Sequence, residues 1–223
     1  MDLIEYADSE MMMIDLANVL AGELRSCLSR HDHASFAVPG GTTPGPIFDN
    51  LCAADLDWHR VHVLLTDERW VPESSERSNT RLLRQRLLTD RAAAAVYVPL
   101  YADTPTPEEG LAEVESALAP ALPLSVLLLG MGADMHTASI FPGADRLHDA
   151  LHGKASLVPM RAPGAPEPRI TLSARVLQDA MSTHVVITGP EKRAALERAR
   201  HLSPEEAPIS VVLRQAVVHW AES

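Results

Sequence analysis

Leu124-Ser125-Val126-Leu127-Leu128-Leu129-Gly130-Met131-Gly132-Ala133-Asp134-Met135-His136-Thr137-Ala138-Ser139-Ile140-Phe141-Pro142-Gly143 runs from an apolar segment straight into a glycine-rich loop that carries an acid and a histidine. The first six residues have the length and composition of a buried strand, so the loop leaves a strand's carboxyl end, where open α/β sheets place their chemistry. A second segment has the same form: the apolar run Ala34 to Val38 is followed by Pro39-Gly40-Gly41-Thr42-Thr43-Pro44, a glycine-hydroxyl turn entering a helix at Pro44.

Working outward from these two strands, the pattern alternates between elements. Apolar residues at Met12, Leu16, Val19, Leu20, Leu24, Cys27 and Leu28 predict a helix from Ser9 to Ser29. Strands are expected at 34–38, 61–66, 95–98 and 124–129, with helices at 44–53, 78–89 and 107–119 between them. The second half predicts strands near 156–160, 168–172 and 183–188, a helix at 190–201, another beginning near Pro208, and a last strand from Val217 to Trp220. Thr106-Pro107-Glu108-Glu109 and Ser203-Pro204-Glu205-Glu206 carry the hydroxyl, proline and glutamate of helix starts. Alternation of this kind implies a single-domain, Rossmann-like open α/β sheet, mostly parallel, with helices on both faces, spanning residues 1–223. In such a sheet the carboxyl ends of the strands share a rim. The loops at 39–44, 67–79, 130–143, 169–171 and 189–192 are therefore expected to line one crevice.

Composition narrows the function classes. With 46% hydrophobic and 22% charged residues the chain has enough apolar surface to bury a core, which argues against intrinsic disorder. A formal charge of −11, from 19 basic and 30 acidic residues, opposes a nucleic-acid or anionic-membrane partner. No apolar run reaches membrane-spanning length. Cys27 and Cys52 lack metal-ligand spacing and are read as inert, buried thiols. Residues Met1 to Glu10 lack the basic start and apolar centre of a signal peptide, so a reducing cytoplasm is the expected setting. Arg81, Arg84 and Arg86 read as the solvated side of a helix.

Within the loops, Gly40 and Gly41 allow close backbone approach to a ligand, and Thr42 and Thr43 add hydroxyl donors. On turn chemistry alone, a plain tight turn is the better reading of this segment. Among the ten histidines, His136 stands apart through its glycine-rich setting and its proximity to Asp134. Imidazole titrates near neutral pH and can take a proton from water, which makes His136 the candidate general base. Asp134 either orients His136 and stabilises the imidazolium or caps the turn. Asn79, after Ser78 at a helix start, reads as a cap or loop brace.

These two loops, together with Thr66-Asp67-Glu68-Arg69-Trp70-Val71-Pro72, Ser78-Asn79, Arg169-Ile170-Thr171-Leu172 and Gly189-Pro190-Glu191-Lys192, resemble the 6-phosphogluconolactonase family, in order from about Ala34 to Gln215. The resemblance implies hydrolysis of 6-phospho-D-glucono-1,5-lactone to 6-phospho-D-gluconate in the pentose phosphate pathway, with water as nucleophile and neither cofactor nor metal. It reverses the reading of Gly40 to Thr43 in favour of a phosphate cradle and adds Arg169 and Lys192 as phosphate ligands. Arg69 is implied as a substrate contact, Asp67 as contact or scaffold with equal weight, and Glu68 as scaffold. Two positions depart from the family pattern. Pro39 stands where Ser is usual, and Met135 where Gly is usual, so Met135 is expected either in an ordinary backbone conformation or with its side chain turned from the ligand. The implied partner is a small sugar phosphate, and monomer or homodimer is left open. An aminosugar-phosphate deaminase-isomerase is the nearest alternative; that group usually carries Tyr at Arg69 and an Asn-Glu pair at Ile140-Phe141. A non-catalytic sugar-phosphate sensor is the alternative from another class.

Overall fold

The computed structural model describes residues 1–223. In chain order the elements are β1 (Asp2–Tyr6), α1 (Ser9–Leu28), β2 (Ala34–Val38), α2 (Gly45–Leu51), β3 (Val61–Leu65), β4 (Asp67–Arg69), α3 (Asn79–Arg86), β5 (Val96–Tyr97) and α4 (Pro107–Leu118). They continue with β6 (Val126–Leu129), α5 (Leu147–His152), β7 (Leu157–Met160), β8 (Arg169–Leu172), α6 (Ala174–Gln178), β9 (Ser182–Thr188), α7 (Pro190–Ala199), α8 (Ser210–Leu213) and β10 (Val217–Ala221). Seven strands form one parallel sheet in the order β1-β10-β9-β6-β2-β3-β5. Successive residues of a strand point to opposite faces, and every residue of β2 and β6 is buried, so both faces of the sheet are covered.

The strand order reverses between β2 and β6. From β2 the chain proceeds outward to β3 and β5, whereas from β6 it proceeds the other way to β9 and β10. Neighbouring strands that lead to opposite sides leave a crevice at their carboxyl ends, and the two glycine-rich loops leave β2 and β6 there.

The expected mostly parallel open sheet is present, and a second, three-stranded antiparallel sheet, β4-β8-β7, accompanies it. The sequence places Asp67, Glu68 and Arg69 in the loop after the 61–66 strand, but they form a strand paired with β8. Three residues are too few for a periodic signal, and tertiary pairing decides them. β1, α5 and α6 also lie outside the expected elements, all short. Ser203 to Glu206 is a turn, not a helix start: the Ser203 amide and hydroxyl both donate to Glu206 Oε2, at 3.3 and 3.0 Å, and helix resumes only at Ser210. The Thr106 signal does start α4, with its hydroxyl accepting from the Glu109 amide.

α1 buries Met12, Leu16, Leu20 and Leu24 completely, spaced by one helical turn each, and Asp8 caps its start by accepting from the Met11 amide at 2.8 Å. Each such side chain contributes about 1.5–3 kcal/mol of burial. Val19 is 39% exposed and Cys27 half-buried, so the apolar stripe is narrower than its sequence suggests; Cys52 is buried.

The same helix closes a buried polar chain beneath β9 and β10. Tyr6 Oη lies 2.9 Å from His219 Nδ1, His219 Nε2 lies 3.0 Å from His184 Nδ1, and His184 Nε2 lies 2.9 Å from Glu23 Oε2. With both imidazoles neutral, every proton in this chain points one way, from the phenol to the carboxylate. Burial, followed by the neighbouring His184, holds His219 down to about 4. Burial, the largest single influence, raises the Glu23 carboxyl, but the hydrogen bonds from His184 and Ser182 and the nearby imidazoles together outweigh it and the net shift is downward. Both folded-state values lie below the unfolded ones, so this stability is present near neutral pH and lost on acidification. Between pH 7 and 4, His219 alone should cost about 3 kcal/mol. Urea unfolding of the protein and of His219→Gln across that range measures it; equal pH dependence in both would rule the relay out as the source.

Candidate active site

Eight of the ten residues singled out from the sequence line one cleft of about 210 Å³ at the β2/β6 crevice: Gly40, Gly41, Thr43, Asp67, Arg69, His136, Arg169 and Lys192. Thr42 faces an adjoining depression, and Asp134 stands behind His136.

The histidine is fixed from three sides. Its Nδ1 lies 2.5 Å from Asp134 Oδ1, its backbone amide donates to the same oxygen at 3.1 Å, and its ring stacks on Phe141 with centroids 4.3 Å apart. With Nδ1 committed to the carboxylate, Nε2 is the ring nitrogen left for other work, and the side chain is 30% exposed. Asp134 therefore contacts His136, and Asp67 does not. The loop tolerates this close pairing because residue 132 is glycine: a Cβ there would lie 2.2 Å from His136 Nδ1 and 2.6 Å from Asp134 Oδ1. Met135 has φ of +68°, in the left-handed region that costs a side chain about 1–2 kcal/mol, so the usual glycine has a conformational reason. Its side chain packs onto the apolar core, away from the cleft, which is the second of the two arrangements expected for it.

The small sheet supplies the cations. Arg69 and Arg169 are directly opposite each other in the β4/β8 ladder. Like charges so placed repel. Neither has a close carboxylate: Arg69 Nη1 donates to the Arg77 carbonyl, the nearest acid to Arg169 is Glu167 at 3.7 Å, and the Nε of each is buried without a partner. Burial, and then the facing Arg69, lower the Arg169 pKa. Arg169 also lies over the Phe141 ring at 5.3 Å, which places it beside His136. Two facing guanidiniums, one buried and one half-buried, whose nearest ion pair is a 3.7 Å contact to a Glu167 already held by Arg77, describe an anion site. Lys192, in the first turn of α7 after Gly189 (φ +87°), forms no ion pair and completes the basic wall.

Carboxylates hold these pieces in place. Glu68 is buried and accepts from the amides of Arg69, Asn79 and Thr80 and from the Thr80 hydroxyl, all within 2.9 Å, joining β4 to the start of α3. Asp67 accepts from Thr66 Oγ1 at 3.0 Å and from Ser139 Oγ at 2.5 Å, tying β4 to the histidine loop. Ser78 caps α3, while the Asn79 side chain abuts Gly40, where a Cβ would fall 2.1 Å from Asn79 Cγ. Asn79 is thus a wall of the cleft, which the sequence reading missed. The sequence reading also missed Ser139 as a brace and Phe141 as the platform under His136. Both lie inside the quoted loop, but nothing in a linear pattern marks their contacts. At the start of α2 the Gly45 amide is not free for a ligand, since it donates to the Thr42 carbonyl at 3.2 Å.

A parallel sheet with a carboxylate-held imidazole and two facing guanidiniums at its switch point has the architecture of α/β proteins that place an anion site beside a base. Residues 7–220 match the family model described as glucosamine-6-phosphate isomerases/6-phosphogluconolactonase, and the chain belongs to that family. It is 41% identical over 214 residues to a 6-phosphogluconolactonase of Rhizobium meliloti, covering 92% of each chain. A 6-phosphogluconolactonase of Pseudomonas aeruginosa is 40% identical over 210 residues, 92% of this chain and 88% of that protein. The crystal structure of a 6-phosphogluconolactonase from Shewanella baltica superposes with a TM-score of 0.96 at 31% identity, covering 99% of this chain and 97% of that one.

Proposed function

We propose that the protein hydrolyses 6-phospho-D-glucono-1,5-lactone to 6-phospho-D-gluconate, the lactone-opening step of the pentose phosphate pathway. The observation that carries this reading is the pairing, in one cleft, of the facing Arg69 and Arg169, whose Nε groups are buried without hydrogen-bond partners, and His136 tethered through Nδ1 to Asp134. The arginines, with Lys192 and the Gly40 to Thr43 turn, suit a doubly charged phosphate; the imidazole suits activation of water.

In this account Gly40, Gly41, Thr42, Thr43, Arg169 and Lys192 hold the phosphate, and Arg69 contacts the sugar phosphate from the facing strand. Asp67 acts as scaffold. His136 Nε2 takes a proton from water as its oxygen bonds to C1. Asp134 stabilises the resulting imidazolium, which returns the proton to the ring oxygen as the C1–O bond breaks. The new carboxylic acid then ionises, releasing one proton to solution. The lactone ring is already electrophilic, so one positioned base worth about 10²–10⁴-fold is sufficient help. Binding of the remote phosphate positions the carbonyl. Phe141, where the deaminases carry a glutamate, gives His136 an apolar platform in place of a second acid, which favours ester hydrolysis over ring-opening of an aminosugar.

The reading makes a small sugar phosphate the partner and the cytoplasm the setting, consistent with two free cysteines and a charge of −11. No helix is long and apolar enough to cross a membrane.

Proton release on mixing the protein with freshly generated lactone, after subtraction of spontaneous hydrolysis, tests the assignment. A rate well above background with no turnover of glucosamine 6-phosphate is expected. Turnover of the aminosugar would move the assignment to the deaminases, and binding without turnover of either would favour a sensor.

A further inference from the structure

A second depression of about 430 Å³ opens from the catalytic cleft and shares Gly41 and Arg69 with it. Its basic residues are Arg69, Arg77 and Arg81, and its one carboxylate is Glu76. The arginines differ in their engagement. Arg77 is held by Glu167 at 2.7 Å, and further along α3 Arg84 is held by Glu73 at 2.5 Å and Arg86 by Asp49 at 2.6 Å. Arg81 has no carboxylate partner; its Nη1 donates to the neutral Ser74 carbonyl at 2.9 Å, and the residue is half-buried. Arg81, expected from the sequence on the solvated side of a helix, lies on α3 where it lines this depression. Arg69, on the wall shared by the two cavities, is likewise bonded only to a carbonyl.

We propose that this depression is the cationic entrance to the active site and that Arg81 is a substrate-capture residue, engaging the phosphate of the incoming sugar before it passes to Arg69 and the glycine turn. The proposal rests on the lactonase reading above and adds to it a route and a residue. The physical need follows from charge: a substrate carrying two negative charges approaches a protein of net charge −11, and a local basic mouth is what reverses the long-range repulsion near the site. Arg81 and Arg69 flank one opening and neither is bonded to a carboxylate; with Arg77 paired to Glu167, the lone acid Glu76 still leaves the mouth net positive. An oxyanion between them would have the Gly41 and Thr42 turn along its path inward. Capture of this kind acts on kcat/KM and leaves the chemical step unchanged, because Arg81 lines only the entrance and His136 only the inner cleft.

The test compares wild-type protein, Arg81→Gln and Arg81→Lys. At low salt, Arg81→Gln is expected to lower kcat/KM for the lactone by roughly 3- to 10-fold with kcat within about twofold, and the deficit should fade at about 0.5 M NaCl, where the charge is screened. Arg81→Lys should recover most of the loss, since steering needs the charge more than the fork. A deficit in kcat, or one that persists at high salt, would show a structural role and overturn the proposal, as would wild-type kinetics in Arg81→Gln. Should wild-type protein fail to accelerate the lactone, the lactonase reading falls by itself; the entrance is then judged by calorimetric titration with 6-phosphogluconate. Weaker, less salt-dependent binding by Arg81→Gln supports it, and equal binding overturns it.

Discussion

Replacing His136 with alanine should lower kcat for lactone hydrolysis by about 10²–10⁴-fold, the usual contribution of a positioned general base, and leave the protein folded. The imidazole is the only group in the cleft that combines a free nitrogen with a carboxylate on its other side. The variant loses one stacking contact with Phe141 at a partly exposed position, so its melting temperature should stay near that of the wild type. KM should change little, because binding is assigned to the arginines and Lys192. Steady-state kinetics with circular dichroism melting checks all three. A folded variant within a few-fold of wild-type kcat would remove His136 from the mechanism and leave activation of water without an assigned base.

Replacing Arg169 with methionine should separate activity from stability. Arg169 is buried, has as its one ion-pair partner Glu167 at 3.7 Å, which Arg77 already holds at 2.7 Å, and faces Arg69 across the ladder. A buried charge that shares its counter-ion is costly to the empty protein, and exchanging buried ionic groups for apolar ones of similar length is often neutral or stabilising by about 1–4 kcal/mol. Loss of the stack on Phe141 offsets part of that. The melting temperature of Arg169→Met is therefore expected to equal or exceed that of wild type. Its kcat/KM should fall by about 10²-fold or more, equivalent to about 3 kcal/mol of lost interaction with phosphate. Substrate or product should raise the melting temperature of wild type far more than that of the variant. A variant that is strongly destabilised yet binds normally would make Arg169 a structural residue.

The parts legible in the sequence were those with a local cause. The apolar runs ending at Val38 and Leu129 announced buried parallel strands, and the glycines following them announced loops that approach something closely. Spacing of Met12, Leu16, Leu20 and Leu24 gave α1 its buried stripe. What escaped was what only the third dimension creates. Asp67, Glu68 and Arg69 carry no strand period; they become a strand because β8 pairs with them, and that pairing is what sets Arg69 against Arg169. Ser203 to Glu206 carries a helix-start signal, but its Glu206 side chain folds back on Ser203 in a turn. Asn79 reads as a cap or loop brace; Ser78 caps α3, and the Asn79 side chain walls the cleft beside Gly40 while its amide donates to Glu68. The unpaired state of Arg81 was equally invisible, since it depends on where Glu73, Asp49 and Glu167 fall in space.

The most direct test of the central claim is a crystal structure of the protein with bound 6-phosphogluconate. The account predicts the phosphate against Thr42, Thr43, Arg169 and Lys192, with the C1 carboxylate within hydrogen-bonding reach of His136 Nε2. The reverse orientation, with the phosphate at His136 or the product outside this cleft, would contradict it.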